Sequence, residues 1–170
     1  MKRIGVVRGR PSAEIQRLFR ELATRWRQTA RIVGVIEESG GPDGAACNAG
    51  QLISLADGAS FSIFQDLGRG STACNVHPDG ALSAGEAVRR NIEAGCDLVV
   101  LSKFGKLEAE QRGGLMPAFI AAAESNVPIL TSVSAKFDVA WRQFAEDAYC
   151  SLSADYDVIE EWCRTVCDRG

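Results

Sequence analysis

Residues 97–102 read Asp-Leu-Val-Val-Leu-Ser, and residues 103–108 continue as Lys-Phe-Gly-Lys-Leu-Glu. The unbroken apolar run is typical of a parallel-sheet strand whose two faces are both covered by helices. The lysines and the glutamate follow at the carboxyl end of this strand, which is the edge where open parallel sheets bind ligands. This stretch therefore predicts an α/β fold with a charged ligand-binding edge.

Strand and helix patterns alternate on the amino-terminal side of this stretch. Residues 3–8 form a short apolar run with branched side chains, and residues 31–37 form another. Strand, helix and strand in this order predict a right-handed βαβ unit with parallel strands. The helix between the two runs is predicted from an apolar stripe at spacings of three and four, made of Ile15, Leu18, Phe19, Leu22 and Trp26.

The same alternation continues on the carboxyl-terminal side. A helix over residues 79–94 precedes the central strand, and further strands are predicted at 128–133 and 149–152. Helices are expected around Phe119 and Trp141, and at the end of the chain over 156–166. In the helix over residues 79–94, the residues that should point inward are Leu82, Val88 and Ile92.

An Asp57-Gly58 pair separates two short strand patterns, at 51–56 and 60–65. Asp-Gly between such patterns favours a tight turn, so a β-hairpin is expected as an insertion in the parallel sheet. The predicted architecture is a largely parallel, doubly wound sheet in one domain over residues 1–170. Glycine-bearing loops are predicted at 38–50, 67–78 and 103–114.

Composition narrows the class of protein. The chain has 170 residues, of which 46% are hydrophobic and 24% charged, which suits one folded domain with a sizeable core. A net charge of -3 argues against a general nucleic-acid binder or a binder of acidic membranes. The first apolar stretch ends at Arg8 and is too short for a secretory signal, so a cytoplasmic protein is expected. A homo-oligomer is left open.

Six cysteines in a reducing compartment are expected to be free thiols packed in the fold. Cys74 and His77 are three residues apart and would supply two ligands to zinc, with Cys47 as a third after folding. They are weak metal candidates, because no second closely spaced pair completes a site. The alternative is that His77, which precedes Pro78, is an ordinary loop or cap residue.

The loop after the first strand stands where a phosphate-binding loop would stand. A working loop reads G-x-x-x-x-G-K-[ST], in which backbone amides cradle phosphate, the lysine neutralises charge and the hydroxyl holds magnesium. Here the chain has Gly9, Arg10 and Ser12, with no lysine and no second glycine. Two interpretations are open: an anion site at the helix start, helped by Arg8 and Arg10, or a plain strand-to-helix turn.

The loop after the central strand carries Lys103, Gly105, Lys106 and Glu108. Lysines at this edge suit a phosphate or another oxyanion. Glu108 would pair with a lysine, orient a water, or do neither, and a solvated loop is the simpler alternative. After the strand at 128–133, several polar residues are expected to complete the rim of the pocket: Ser132, Ser134 and Lys136.

The segment at 99–108 resembles the thermophile-type nucleoside triphosphatases of the P-loop class. In that family an apolar strand runs into Asp-Glu, an apolar residue and Gly-Lys-Met-Glu; Gly105, Lys106 and Glu108 match this pattern. Ser102 and Lys103 stand in place of the Asp-Glu pair that binds magnesium and activates water. The chain resembles still more closely the bacterial domain of unknown function 2478 family, which carries a similar Lys-Phe-Gly-Lys-x-Glu stretch.

This resemblance implies a degenerate P-loop three-layer sandwich with an altered nucleotide site. The expected ligand is a nucleotide or a phosphate-like oxyanion at the strand carboxyl ends; molybdate is conceivable, although no residue selects it over phosphate. Efficient hydrolysis is not implied, because Mg-dependent phosphoryl transfer needs metal, neutralised charge and an oriented nucleophile together. The residues expected to bind the anion are Arg8, Gly9, Arg10, Ser12, Lys103, Gly105 and Lys106.

Two other functions remain open from the sequence. One is a residual Mg-dependent nucleoside triphosphatase or phosphotransferase that uses Glu108 as its catalytic residue with a substitute cation. The other is an interaction module that has lost its ligand and works through an oligomer surface.

Overall fold

The computed structural model describes residues 1–38, 50–65, 75–76 and 78–168. Its framework is a seven-stranded sheet, accompanied by a separate pair of two-residue strands. The strands are β1 (Ile4–Arg8), β2 (Ile32–Glu38), β3 (Gln51–Ser54), β4 (Ser60–Ser62), β5 (Phe64–Gln65), β6 (Asn75–Val76), β7 (Leu98–Phe104), β8 (Ile129–Val133) and β9 (Tyr149–Ser153). The helices are α1 (Ser12–Trp26), α2 (Pro78–Glu93), α3 (Lys106–Gln111), α4 (Met116–Glu124), α5 (Asp138–Ala145) and α6 (Tyr156–Cys167), with a 3₁₀ turn at Ala135–Phe137.

The strand order of the large sheet is β4-β3-β2-β7-β8-β1-β9. Strands β2, β7, β8, β1 and β9 are parallel to one another, and the β3–β4 hairpin continues the sheet beyond β2 in antiparallel fashion. The chain leaves β1 towards β2 on one side, whereas β9 lies on the other side of β1. The carboxyl ends of β1, β7 and β8 therefore meet at a switch point, with the start of α1 beside them.

The central strand β7 explains the layered packing. Its side chains alternate between the two faces of the sheet. Val99 and Leu101 belong to the core under α2, α4 and α5, whereas Leu98 and Val100 belong to the core under α1 and α6. Both faces are buried, which confirms the α/β, largely parallel class expected from the apolar run. Among the described residues, no helix is long and apolar enough to cross a membrane.

An aromatic cluster extends β7 beyond its predicted end. Phe104 contacts Trp141 and Phe119, with ring centroids 5.2 and 5.9 Å apart, in edge-to-face geometry. Burying these rings on the α4 and α5 side keeps the backbone extended through Phe104. Trp141 is fully buried, whereas Phe144 packs at the edge of the cluster and stays partly exposed.

Some of the secondary-structure predictions are confirmed by the structure and others are wrong. The hairpin around Asp57-Gly58 is confirmed, and β1, α1 and β2 follow in the predicted order, with β1 and β2 parallel although β7 and β8 lie between them. The loop predicted at 103–114 is wrong, since it contains the end of β7 and all of α3. Leu82 was expected to face inward but is 43% exposed, because α2 buries Ala81 and Ala84 instead. Residues 39–49, 66–74 and 77, which include Cys47, Cys74 and His77, lie outside the described residues.

The aromatic cluster should carry a large share of the free energy of unfolding. We expect Phe119→Ala to lower that free energy by about 3–5 kcal/mol, because it removes a fully buried ring and leaves a cavity. Chemical denaturation monitored by circular dichroism measures the loss. The matched control is Ile120→Ala on the same helix, where the side chain is 44% exposed and the loss should be distinctly smaller. Equal losses would contradict this account of the core.

Candidate functional site

Two neighbouring clefts open at the carboxyl edge of the sheet. The first, which we call the strand-end cleft, has a volume of about 300 Å³ and lies at the ends of β1 and β8. The second, the side cleft, has a volume of about 550 Å³ and lies between α1 and the end of β2. Ser12 and Lys103 line both of them. The polar lining of the strand-end cleft is Arg8, Arg10, Ser12, Lys103, Ser132 and Ser134.

The loop between β1 and α1 takes the shape that its sequence dictates. Gly9 has a φ of +97°, a left-handed conformation that favours glycine, and Pro11 presents an extended backbone just before the helix. Ser12 is the first helical residue. No side chain caps this end of α1 among the described residues, although the Glu14 N–H donates to the Pro11 carbonyl at 3.0 Å, and Ser12 lines the strand-end cleft. The helix start thus favours an anion, as the sequence suggested for one of its two interpretations.

Arg8 is held in place at the end of β1. Its guanidinium lies 2.6 Å from Asp138 Oδ1, and Asp138 Oδ2 is 2.8 Å from Arg142. The hydrogen bond from Arg8 holds the pKa of Asp138 below its usual range, so the carboxylate stays charged. Arg10 is more exposed, and it pairs with Glu14 one turn along α1 at 3.6 Å. Arg8 is therefore a fixed cation and Arg10 a more mobile one.

Lys103 lies at the junction of the two clefts. Its Nζ is 2.9 Å from Glu37 Oε2, and the Glu37 side chain is only 15% exposed. The contact is an ion pair by distance, but its angles are not those of a hydrogen bond, since Oε2 is buried without a hydrogen-bond partner. Opposite charges at this separation attract each other whatever the angle between the groups. Glu37 thus fixes the ammonium at the edge of the sheet.

A buried polar network behind the clefts was missed by sequence reasoning. Gln16 Nε2 donates to the Ser102 carbonyl at 2.9 Å, and Gln16 Oε1 accepts from the Glu37 backbone N–H at 2.9 Å. Ser132 Oγ donates to the same carbonyl at 2.8 Å. These bonds tie α1, β2, β7 and β8 together beneath Lys103. The available signal was a polar residue placed three before Phe19, on the buried stripe of the helix.

Glu108 occupies a structural position in the first turn of α3. Its Oε2 accepts from the Gly105 N–H and its Oε1 from the Leu115 N–H, both at 3.0 Å. It is 7% exposed, and burial raises the pKa of its carboxyl despite these hydrogen bonds. Gly114, in the left-handed conformation, leaves the space that the carboxylate fills, since a Cβ there would lie 2.4 Å from Oε1. Both carboxylate oxygens of Glu108 therefore already accept hydrogen bonds from the backbone.

The structure sorts the predicted site residues into two groups. Arg8, Gly9, Arg10, Ser12 and Lys103 come together around the strand-end cleft. The others lie with Lys103 around a neighbouring cavity of about 80 Å³, next to the first turn of α3: Gly105, Lys106 and Glu108.

The metal candidates cannot be compared with this arrangement, because Cys74 and His77 lie outside the described residues. Within the described part of the chain, no group of three or more His, Cys, Asp and Glu residues is arranged to hold a metal ion.

The largely parallel sheet, with its switch point at β1 and helices on both faces, has a P-loop NTPase-like fold. The chain belongs to the family described as "Protein of unknown function (DUF2478)", whose model matches residues 4–162. This confirms the family resemblance seen in the sequence.

Two individual proteins place the chain among its relatives. The crystal structure of THEP1 from the hyperthermophile Aquifex aeolicus superposes with a TM-score of 0.64 at 12% identity, covering 99% of this chain and 100% of that one. The molybdenum import ATP-binding protein ModC 2 of Bradyrhizobium diazoefficiens is 33% identical over 168 residues. That match takes in 98% of this chain but only 19% of the length of the relative.

The hydrogen bonds of Glu108 should matter for stability. We expect Glu108→Gln to lower the free energy of unfolding by about 1–3 kcal/mol, because the amide nitrogen cannot accept from a backbone N–H and leaves one of them unsatisfied. Urea denaturation at neutral pH measures the loss. Glu110→Gln is the matched control, since Glu110 is exposed on the same helix. A control variant as destabilised as Glu108→Gln would argue against the capping role.

The raised pKa of Glu108 predicts the pH dependence of this effect. A carboxyl whose folded pKa lies above its ordinary value of 4.5 stabilises the folded state below 4.5 and loses that contribution as pH rises through the folded pKa. Position 108 no longer titrates in Glu108→Gln. The free energy of unfolding of the wild type, measured relative to this variant by urea denaturation, should therefore increase as pH falls. A difference that shrinks on acidification would show that the pKa is lowered instead.

Proposed function

We propose that residues 1–170 act as one degenerate P-loop domain that binds a nucleotide or another phosphate-like oxyanion in the strand-end cleft. The observation that carries this proposal is the lining of that cleft. Arg8, Arg10 and Lys103 converge there with serine hydroxyls, and no carboxylate is among its described lining residues. Guanidinium and ammonium groups beside a helix start are the donors that phosphate-like anions prefer.

The carboxylates that balance these cations stand behind them rather than in the cleft. Asp138 holds Arg8, and Glu37 holds Lys103. A cation fixed in this way loses little side-chain entropy when a ligand arrives, so part of the cost of binding is met during folding. We infer a pre-organised anion site rather than a generally basic surface, in keeping with the net charge of -3.

Binding without efficient hydrolysis is part of the proposal. The first loop lacks the lysine of a working phosphate loop, and Ser102 and Lys103 stand where an acidic pair would hold magnesium and activate water. Glu108 is the catalytic candidate from the sequence, but both of its carboxylate oxygens already accept hydrogen bonds from backbone N–H groups. A residual triphosphatase or phosphotransferase would need that carboxylate to be released.

The relatives support this choice of ligands. ModC 2 is named as an ATP-binding protein of molybdenum import, which supports a nucleotide and adds molybdate to the oxyanions worth testing. The chain spans about a fifth of that relative, so the activity of the whole transporter component is not carried over. Cytoplasmic location, a possible homo-oligomer and the absence of nucleic-acid binding stay predictions from the sequence.

The experiment is a thermal-shift screen against ATP, ADP, phosphate, sulfate and molybdate. A ligand present at about 100 times its dissociation constant stabilises the folded state by about 2.7 kcal/mol, which raises the melting temperature measurably. We expect the shift in the wild type to be lost or much reduced in Arg8→Gln, each protein being compared with its own ligand-free melting temperature. Arg27→Gln, which makes the same change of charge at the far end of α1, should keep the full shift.

Two results would contradict the proposed binding function. If no anion or nucleotide shifts the wild type, the binding proposal fails and the ligand-free interaction module becomes the leading hypothesis. If the purified protein releases phosphate from ATP with magnesium, and Glu108→Gln abolishes the release while remaining folded, the enzyme alternative replaces it.

A further inference from the structure

The P-loop NTPase-like fold implies a magnesium ion at the junction of the two clefts, and the residues present do not fit one. In a working site the ion is held by the hydroxyl at the start of the first helix and by an acidic residue at the end of a second strand. Here Ser12 supplies the hydroxyl, but the end of β7 carries Ser102 and Lys103 just before its final residue, Phe104, and no acidic residue. An ammonium repels a divalent cation and offers no lone pair to it.

The ammonium of Lys103 is itself built into that position. β2 and β7 are parallel neighbours with Val35 opposite Leu101, so residues 37 and 103 lie side by side two residues further along. Lys103 Nζ lies 2.9 Å from the largely buried carboxylate of Glu37, and the Glu37 backbone N–H is fixed by Gln16. A positive charge thus already occupies the edge where Ser12 and the strand ends converge.

We propose that Lys103 is a tethered cation that replaces the divalent metal, with Glu37 as its counter-carboxylate, so that anion binding in the strand-end cleft is independent of magnesium. This inference rests on the proposed function. Lys103 lines both clefts and shares them with Ser12, so its ammonium reaches the strand-end cleft from the Glu37 side. A lysine neutralises the charge of a bound anion but cannot activate a water as a Lewis acid does. Binding therefore persists while turnover is lost.

The test is isothermal titration of the protein with ATP, once in excess EDTA and once in excess magnesium. We expect the wild type to bind ATP in EDTA and magnesium to add no further affinity. Lys103→Met should weaken binding in EDTA at least about tenfold, because a hydrogen bond to a charged group is lost. Lys2→Met is the matched control: it removes the same charge at the opposite edge of the sheet, and it should bind as the wild type does.

A second variant distinguishes the loss of the binding cation from misfolding of the protein. Lys103→Met leaves the Glu37 carboxylate without its cation and is expected to lower the melting temperature. The double variant Lys103→Met/Glu37→Gln removes both charges, so it should melt closer to the wild type and still bind weakly. Lys103→Arg keeps a cation and should retain more affinity than Lys103→Met.

The outcomes separate this inference from the proposed function. Wild-type binding that appears only with magnesium overturns the tethered-cation role and leaves the anion site standing. Wild-type affinity retained by a folded Lys103→Met in EDTA overturns it as well. If the wild type binds ATP in neither buffer, and no other anion in the thermal-shift screen, the proposed function itself fails and this inference falls with it.

Discussion

The backbone carbonyl of Ser102 accepts two buried hydrogen bonds, from Gln16 Nε2 and from Ser132 Oγ, and the geometry of the site depends on them. Ser102 lies where the pairing of β7 with β8 is irregular, between Leu101 and Phe104, and leaving its buried carbonyl without a partner would cost about 1–3 kcal/mol. Satisfying it with one side chain from α1 and one from β8 draws three elements to a common point. Gln16 then uses its oxygen to hold β2 at Glu37. The clefts lie where these elements meet.

The cations of the clefts are positioned by a second set of contacts built on that frame. Arg8 on β1 is matched with Asp138 on α5, and Lys103 on β7 with Glu37 on β2. Partly exposed ion pairs of this kind contribute little to the free energy of unfolding. Their effect is geometric, since each pair joins two elements and holds a positively charged group at the strand ends. The stability of the fold comes instead from the two apolar cores on either side of β7.

Local patterns in the sequence predict most of the fold, because strand runs, helix stripes and an Asp-Gly turn are short-range signals. The failures occur where distant residues decide the conformation. The segment at 103–114 has glycines typical of a loop, yet the bonds from Gly105 and Leu115 to Glu108 close a helical turn there. Arg8, Ser12 and Lys103, which line one cleft, could be placed together from the sequence, because each lies at or soon after the predicted end of a strand. Gln16 and Glu37 were missed, since each gains its role only from a partner many residues away.

Lys103 stands at a position where working P-loop enzymes have an acidic residue. This difference affects which chemical roles such a site retains. Acidic residues at the end of this strand hold magnesium, and the metal both neutralises phosphate and prepares the water. An ammonium replaces the first of these effects but not the second. It also needs a carboxylate beside it to hold it at the strand ends, which Glu37 supplies from the neighbouring strand. Under the proposed function, a lysine–glutamate pair in place of a metal site would separate recognition of an anion from its hydrolysis.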